Sequence, residues 1–262
     1  MEVSLRVKRF DPSVDVAPHY ERYDVPSREG MTVLDALIYV KDRLDHGLAV
    51  RFSCRMASCG SCGMKVNGKP RLACETQLGD LGPGAATVEP MDNFPVVRDL
   101  VVDLESFFSR HTSLSPRLLR KRDEAEQESP SGEYLMFPAE LESMVQFTYC
   151  IKCGLCSSSC PTASTDGSFP GPQALAQAYR YLADPRDEGG KERVEAVDTA
   201  HGVWRCHFAG TCSAVCPKGV DPALGIQLLK RHVMAATSPL SRKKGEKTGA
   251  EVFKNPNAGL VG

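Results

Sequence analysis

The N-terminal third of the chain combines strand-like and helix-like hydrophobic patterns. Apolar and polar residues alternate over 3–8, which is typical of a half-buried strand. A capping-box pattern begins at Thr32, and the apolar residues that follow it at helical spacing predict a helix over about 33–45. Asn67-Gly68 lies between two short runs and predicts a tight hairpin, because this pair suits a type I′ turn. Together these elements predict a compact α+β domain.

Helical spacing replaces the alternation further along the chain. Apolar residues from Val97 to Phe108 form a stripe that predicts a helix connecting two domains. Four more helices are predicted near 140–147, 172–182, 191–199 and 222–234. The predicted division is a first domain with its connecting helix at 1–110, a charged linker at 111–138, a helical domain at 139–236 and an extended or disordered tail at 237–262.

Composition narrows the class of protein. Lys and Arg number 32 against 33 Asp and Glu, so the net charge of −1 gives no positive field for nucleic acid, and we expect no nucleic-acid partner. No run approaches the roughly 18 apolar residues of a membrane helix, and the N-terminus lacks the apolar block of a secretory signal. We therefore expect the protein to reside in a reducing cytoplasm and to have no transmembrane segment of its own.

The cysteines are the unusual feature. There are 11 of them, an odd number and a smaller share than the roughly 8–10% of a small disulfide scaffold. The sequence has no nucleotide-binding glycine motif, no paired carboxylates and no nucleophile with a base. We therefore expect thiols that bind a cofactor, and no catalytic residue in this chain.

The first cysteine group has the plant-type [2Fe-2S] spacing, C-x4-C-x2-C followed by a distant cysteine. Its members are Cys54, Cys59, Cys62 and Cys74. Gly60 and Gly63 fit this chemistry, since small residues let backbone N–H groups approach the sulfurs. A structural zinc site is the alternative, but the spacing fits common zinc motifs poorly.

Two further groups follow the bacterial ferredoxin pattern C-x2-C-x2-C-x3-C-P. The complete run consists of Cys150, Cys153, Cys156 and Cys160, followed by Pro161, and the second run consists of Cys206, Cys212 and Cys216. Ala209 stands where the second run would have its second cysteine. In such pairs of runs the fourth cysteine ligates the cluster of the other run.

This crossover rule assigns every remaining cysteine. A [4Fe-4S] cluster takes Cys150, Cys153, Cys156 and Cys216, and a [3Fe-4S] cluster takes Cys160, Cys206 and Cys212. The second centre has only three thiolates because Ala209 offers no ligand. A [4Fe-4S] cluster with one open iron is the alternative for that centre. We also expect that the second domain cannot fold without iron and sulfide.

The three motifs, in this order and spacing, resemble the iron-sulfur subunits of succinate dehydrogenase and fumarate reductase over about residues 1–235. The resemblance implies a β-grasp [2Fe-2S] ferredoxin domain followed by an all-helical bacterial-ferredoxin-like domain. It implies two partners, a flavoprotein with bound FAD and a cytochrome b-type membrane-anchor subunit with its quinone. Electrons would pass from the flavin through the [2Fe-2S], [4Fe-4S] and [3Fe-4S] clusters to the quinone.

The implied activity is that of the electron-transfer subunit of succinate dehydrogenase, respiratory complex II of the tricarboxylic acid cycle. The subunit would lie peripherally on the cytoplasmic face of the inner (plasma) membrane through its partners. Fumarate reduction in the reverse direction, a soluble thiol-dependent reductase and a free multi-cluster ferredoxin are the alternatives. A zinc-binding interaction module is a further alternative function.

The resemblance also assigns two candidate quinone contacts, Pro161 and His207. A tryptophan that commonly follows this proline in the family is absent, since Pro161 is followed by Thr162-Ala163-Ser164-Thr165. On chemistry alone, His207 is an equal candidate for a hydrogen-bond donor to the neighbouring cluster.

Overall fold

The first domain is a mixed five-stranded sheet crossed by one helix. The computed structural model describes residues 2–120, 128–130 and 132–237. The strands of this sheet are β1 (Glu2–Arg9), β2 (His19–Pro26), β3 (Gly63–Val66), β4 (Lys69–Leu72) and β5 (Ala86–Glu89), and the helix is α1 (Val33–Tyr39). Their order is β2-β1-β5-β3-β4, with β1 and β5 parallel and the other pairs antiparallel. This is the expected β-grasp arrangement, and the α+β class is confirmed.

The alternating pattern explains which face of the sheet is buried. Leu5 and Val7 of β1 are fully buried and lie opposite Ala86 and Val88 of β5. The face is covered by α1, whose start at the Thr32 capping box is confirmed. The helix ends earlier than predicted, because a π-helical turn over Val40–Leu44 follows it.

The helix predicted from Val97 is wrong in its first half. The structure has a two-stranded ribbon there, β6 (Val96–Arg98) and β7 (Val101–Val102), and α2 begins only at Glu105 and ends at Ser113. Asp99 explains the difference, since its buried carboxylate accepts hydrogen bonds from the backbone N–H groups of Phe10 and Ala49. These long-range bonds override the local helical spacing.

The second domain is helical in the part of the chain that the structure describes. Its helices are α3 (Pro138–Thr148), α4 (Leu155–Ser158), α5 (Pro161–Thr165), α6 (Pro172–Leu182), α7 (Gly190–Val197), α8 (Thr211–Ala214) and α9 (Pro222–Thr237). Phe147, Leu175 and Ile226 are fully buried between α3, α6 and α9. No helix among the described residues is long and apolar enough to cross a bilayer.

The first residues of the predicted linker are packed against folded parts of the chain. His111 belongs to α2, and residues 114–120 lie against the second domain, where Arg193 donates to the carbonyl oxygens of Ser115 and Arg117. The remainder of the linker includes 121–127 and 131, which lie outside the described residues, as does 238–262 of the predicted tail.

The two domains share a packed boundary. Leu155 of α4 is fully buried within the core of the first domain. Asn93, between β5 and β6, donates through Nδ2 to the carbonyl oxygens of Ser157, Ser158 and Cys160, at 2.9, 3.2 and 3.1 Å. The first domain therefore holds the cysteine-bearing loop of the second directly.

Candidate metal centres

The first cysteine group lies on both sides of the β3–β4 hairpin, with Cys54, Cys59 and Cys62 in the loop before β3 and Cys74 after β4. Backbone N–H groups point at its sulfurs: those of Ser58 and Cys59 lie 3.3 Å from Cys54 Sγ, and that of Ala57 lies 3.2 Å from Cys74 Sγ. The loop can turn inward because Arg55 and Ala57 have φ values of 58° and 55°, in the left-handed region. Such a concave set of N–H groups binds anions. The loop therefore suits a negatively charged cluster.

The thiols of this group differ in acidity. Cys59 Sγ lies 3.3 Å from Ser61 Oγ, and this hydrogen bond is the main cause that lowers the pKa of Cys59 to about 6. Burial raises the pKa of Cys62 to about 12. Because only thiolates ligate iron, cluster binding must release the proton of Cys62.

A cavity lies between α6 and the two ferredoxin-type loops. Four cysteines line it: Cys150, Cys153, Cys156 and Cys216. Burial raises the pKa of Cys153 to about 11 and that of Cys156 well above its usual value, and the proximity of the other thiolates adds to both shifts. Four mutually repelling thiolates in a buried space require cations between them, which fits a [4Fe-4S] cluster.

A second cavity lies beside α5 and α8. Three cysteines line it: Cys160, Cys206 and Cys212. Burial raises the pKa of Cys212 to about 11, and Cys160 and Cys206 add to the shift. Ala209 also lines this cavity. A donor set of three thiolates with a methyl group at the fourth position fits a [3Fe-4S] cluster.

The two ferredoxin-type loops have the same backbone geometry despite the change at Ala209. Lys152 and Phe208 occupy equivalent positions and have φ values of 54° and 58°. Gly154 and Gly210 are likewise equivalent, with φ values of 81° and 74°. The second run therefore keeps the conformation of a cluster-binding loop.

All eleven cysteines are free thiols. Among the described residues, no three His, Cys, Asp or Glu side chains converge on a point that would hold a single metal ion. The cysteines of a polynuclear cluster bind different iron atoms and surround the cluster, so they do not need to converge on one point.

The candidate quinone contacts lie together. Pro161 and His207 are both exposed and both line the three-cysteine cavity. Phe208 stands beside them with 59% of its surface exposed. Trp204, the single tryptophan, is also exposed and donates through Nε1 to Asp198 at 2.6 Å.

Sequence reasoning missed two glutamines of the four-cysteine cavity. Gln173 and Gln177 are both buried on α6 and line the cavity. Their spacing of four residues places them on one helix face. The signal in the sequence that could have identified them is the presence of two glutamines on the apolar face of a predicted helix.

Comparisons with known proteins agree with this geometry. Residues 4–109 match the model of the 2Fe-2S iron-sulfur cluster binding domain, and residues 146–220 match that of the 4Fe-4S dicluster domain. The molecule is thus a two-domain ferredoxin-type protein of electron transfer.

Similarity to curated proteins extends over most of the chain. The fumarate reductase iron-sulfur subunit of Mycobacterium tuberculosis (strain CDC 1551 / Oshkosh) is 47% identical over 240 residues, covering 92% of this chain and 95% of that protein. The succinate dehydrogenase iron-sulfur subunit of Coxiella burnetii (strain RSA 493 / Nine Mile phase I) is 37% identical over 238 residues, covering 90% and 98%. A chain of the Mycobacterium smegmatis Sdh1 complex in the apo form superposes with a TM-score of 0.81 at 28% identity, covering 91% of this chain and 98% of that one. The chain belongs to the family of iron-sulfur subunits of fumarate reductase and succinate dehydrogenase.

Proposed function

We propose that this chain transfers electrons one at a time between the flavin of a partner flavoprotein and quinone at a membrane-anchor subunit. Its family membership supports the electron-transfer role. The observation that carries the finer assignment is that each of the two cavities of the second domain is lined by cysteines from both runs.

Two cysteines decide how the runs share their ligands. Cys216 belongs to the second run but lines the cavity of Cys150, Cys153 and Cys156. Cys160 belongs to the first run but lines the cavity of the second. This exchange supports a [4Fe-4S] centre with four protein thiolates and a [3Fe-4S] centre with three. When bound, the [2Fe-2S], [4Fe-4S] and [3Fe-4S] clusters supply the one-electron redox centres between flavin and quinone.

The chain presents different surfaces near its outer centres. Met56, in the [2Fe-2S] loop, is 74% exposed, and we assign this end to the flavoprotein. Pro161 and His207 are exposed beside the three-cysteine cavity, and we assign that end to the cytochrome b-type anchor and its quinone. The subunit then lies peripherally on the cytoplasmic face of the plasma membrane, held by its partners.

Both directions use the same set of centres. We propose succinate oxidation as the principal direction. Fumarate reduction is the second candidate, favoured by the higher identity to subunits named fumarate reductase, at 44–47%, than to those named succinate dehydrogenase, at 35–37%.

Low-temperature EPR of the purified complex during stepwise reduction tests the assignment. We expect three distinct spin systems, one of them present in the oxidised protein from the [3Fe-4S] centre. A protein that contains zinc and no acid-labile sulfide would refute the proposal.

A matched pair of variants tests the exchange of ligands. Cys160→Ser should alter the signal of the oxidised [3Fe-4S] centre, whereas Cys216→Ser should alter that of the [4Fe-4S] centre. The opposite pattern would show that each run holds its own cluster.

A further inference from the structure

A buried carboxylate joins the chain segments beside two candidate ligands of the three-cysteine cavity. Asp166 follows directly after α5, the five-residue helix that begins next to Cys160. Its Oδ2 atom accepts hydrogen bonds from His201 Nδ1 at 2.8 Å and from Arg205 Nε at 3.1 Å. Arg205 immediately precedes Cys206 in the chain. The carboxylate therefore links the segment after Cys160 to the segment before Cys206. We call Asp166, His201 and Arg205 the Asp166 cluster.

Both linked segments are short and regular. The helix α5 spans Pro161–Thr165, a length of about 8 Å, and the N–H of Asp166 donates to the carbonyl oxygen of Thr162 at 2.9 Å. On the other side, a single 3-10 turn over Val203–Arg205 leads directly into Cys206. Movement at the carboxylate therefore reaches the ligands through only a few residues.

The link to the second segment depends on one oxygen atom. The side chain of Asp166 is 8% exposed, and the hydrogen bond from His201 is the main cause that lowers its pKa, so the carboxylate is ionised at neutral pH. A carboxylate oxygen can only accept, so His201 Nδ1 carries its proton. His201 and Arg205 share Oδ2, whereas Oδ1 accepts from the N–H of Ser168 at 2.9 Å.

The two candidate quinone contacts stand on the segments that this cluster joins. Pro161 is the first residue of α5, and His207 follows Cys206. Both side chains line the three-cysteine cavity. A link between the segments therefore also sets how far apart these two residues lie.

We propose that the Asp166 cluster fixes the separation of Pro161 and His207 and thereby positions the groups that bind quinone. Asp166 is a positioning residue, since it acts on the quinone only through these two contacts. The inference rests on the proposed function, which assigns Pro161 and His207 to the quinone.

A second polar contact between the runs makes a graded effect the expected one. Thr211 Oγ1 donates to the carbonyl oxygen of Ser159 at 2.9 Å. Because this contact lies within the loops that carry the cysteines, it remains when the Asp166 cluster is broken. Loss of the cluster should therefore displace the quinone contacts while the three-iron centre stays assembled.

Asp166→Ala breaks the cluster. In the purified complex, we expect the KM for a short-chain quinone to rise about tenfold, because misplacing a group by about 1 Å can cost up to about 100-fold. The EPR line shape of the oxidised [3Fe-4S] centre should change at full iron content. Asp166→Asn should give a smaller rise of KM, because its amide keeps one acceptor atom and loses the charge.

Arg205→Gln is the second variant, and it keeps the proposal testable if Asp166→Ala does not assemble, because the side chain of Arg205 is 43% exposed. We expect a smaller rise of KM, since His201 still holds the carboxylate. The double variant should show no higher KM than Asp166→Ala alone, because the residues act as a unit. Additive effects would mean that Arg205 acts through its own charge on the neighbouring cluster, and would overturn the inference.

Asp184→Ala is the matched control. Asp184 is a second buried carboxylate of the same domain, 3% exposed, and Arg186 donates to it at 2.7 Å. It follows the end of α6 that lies opposite Pro172, the residue of α6 that lines the three-cysteine cavity. We expect this variant to leave the KM for quinone and the [3Fe-4S] line shape unchanged.

Three results would overturn the inference. The first is an unchanged KM in both Asp166→Ala and Arg205→Gln, and the second is an equal rise in Asp184→Ala. The third is a rise of KM that accompanies loss of iron from the three-iron centre, because the cluster would then only maintain the fold. The unaltered complex tests the proposed function separately: if it lacks the three-iron signal or does not reduce quinone, the proposed function fails before any variant is compared.

Discussion

Replacing Gly60 with alanine should separate the two cysteine loops that face each other across the domain boundary. Gly60 lies in the loop of the first group, and a Cβ there would meet Cys153 Cβ at 2.8 Å and Cys153 Cα at 2.9 Å. Carbon atoms pack best at roughly 3.5–4.0 Å, so one loop must move by nearly an ångström. Neither contact is the far end of a flexible side chain, and Cys153 is a candidate ligand.

Two costs combine in this variant. Gly60 has φ of 76°, where a residue with a Cβ pays about 1–2 kcal/mol. Forcing an extra methyl group into a packed contact adds about 1–3 kcal/mol. Gly68→Ala is the matched control, because Gly68 has nearly the same φ of 75° and its Cβ would meet nothing within 4 Å. The free-energy difference between the two variants therefore isolates the contact with Cys153.

Two measurements on the purified complex test this reasoning. We expect denaturant unfolding to show Gly60→Ala about 1–3 kcal/mol less stable than Gly68→Ala. EPR should show weaker magnetic interaction between the [2Fe-2S] and [4Fe-4S] centres in Gly60→Ala alone. Equal stability of the two variants with an unchanged magnetic interaction would refute the claim that Gly60 sets the approach of the loops.

Three further predictions concern the boundary and the interior. Asn93→Ala should lower the thermal unfolding temperature of the complex, since three carbonyl oxygens of the first ferredoxin-type run lose a donor worth about 1–3 kcal/mol; an unchanged temperature would contradict this. The pKa of His111 is about 4 in the folded chain, below the ordinary value of about 6.5, so lowering the pH through this window should reduce the free energy of unfolding by at most about 3 kcal/mol. His111→Leu should flatten that slope in urea titrations between pH 7 and pH 5, and an equal slope would refute the assignment. Removal of iron should reduce the helical circular dichroism signal, because the cysteines that face each other across the two cavities of the second domain would lose the cations that hold their loops together; full helix content in the cluster-free chain would count against this prediction.

Local patterns predicted the elements whose signals lie close together in the chain. The Thr32 cap and the hairpin at Asn67-Gly68 depend on neighbouring residues, and both are present in the structure. The grouping of the cysteines is a prediction from spacing, because cluster ligation imposes a fixed frame on short loops.

Long-range contacts explain what the sequence could not predict. The ribbon of β6 and β7 depends on Asp99, whose partners lie some 50 and 89 residues away. The meeting of His111 with Gln173 joins residues 62 positions apart on different helices. The approach of Gly60 to Cys153 likewise crosses the domain boundary, and no local pattern encodes it.

The central claim is that Ala209 marks the missing ligand of a three-iron centre, and Ala209→Cys tests it most directly. Ala209 lines the cavity of Cys160, Cys206 and Cys212, so a thiol at this position would complete a set of four. We expect the EPR signal of the oxidised [3Fe-4S] centre to disappear from the purified variant complex and a second [4Fe-4S] signal to appear on reduction. An unchanged [3Fe-4S] spectrum in a variant with full cysteine and iron content would contradict the account.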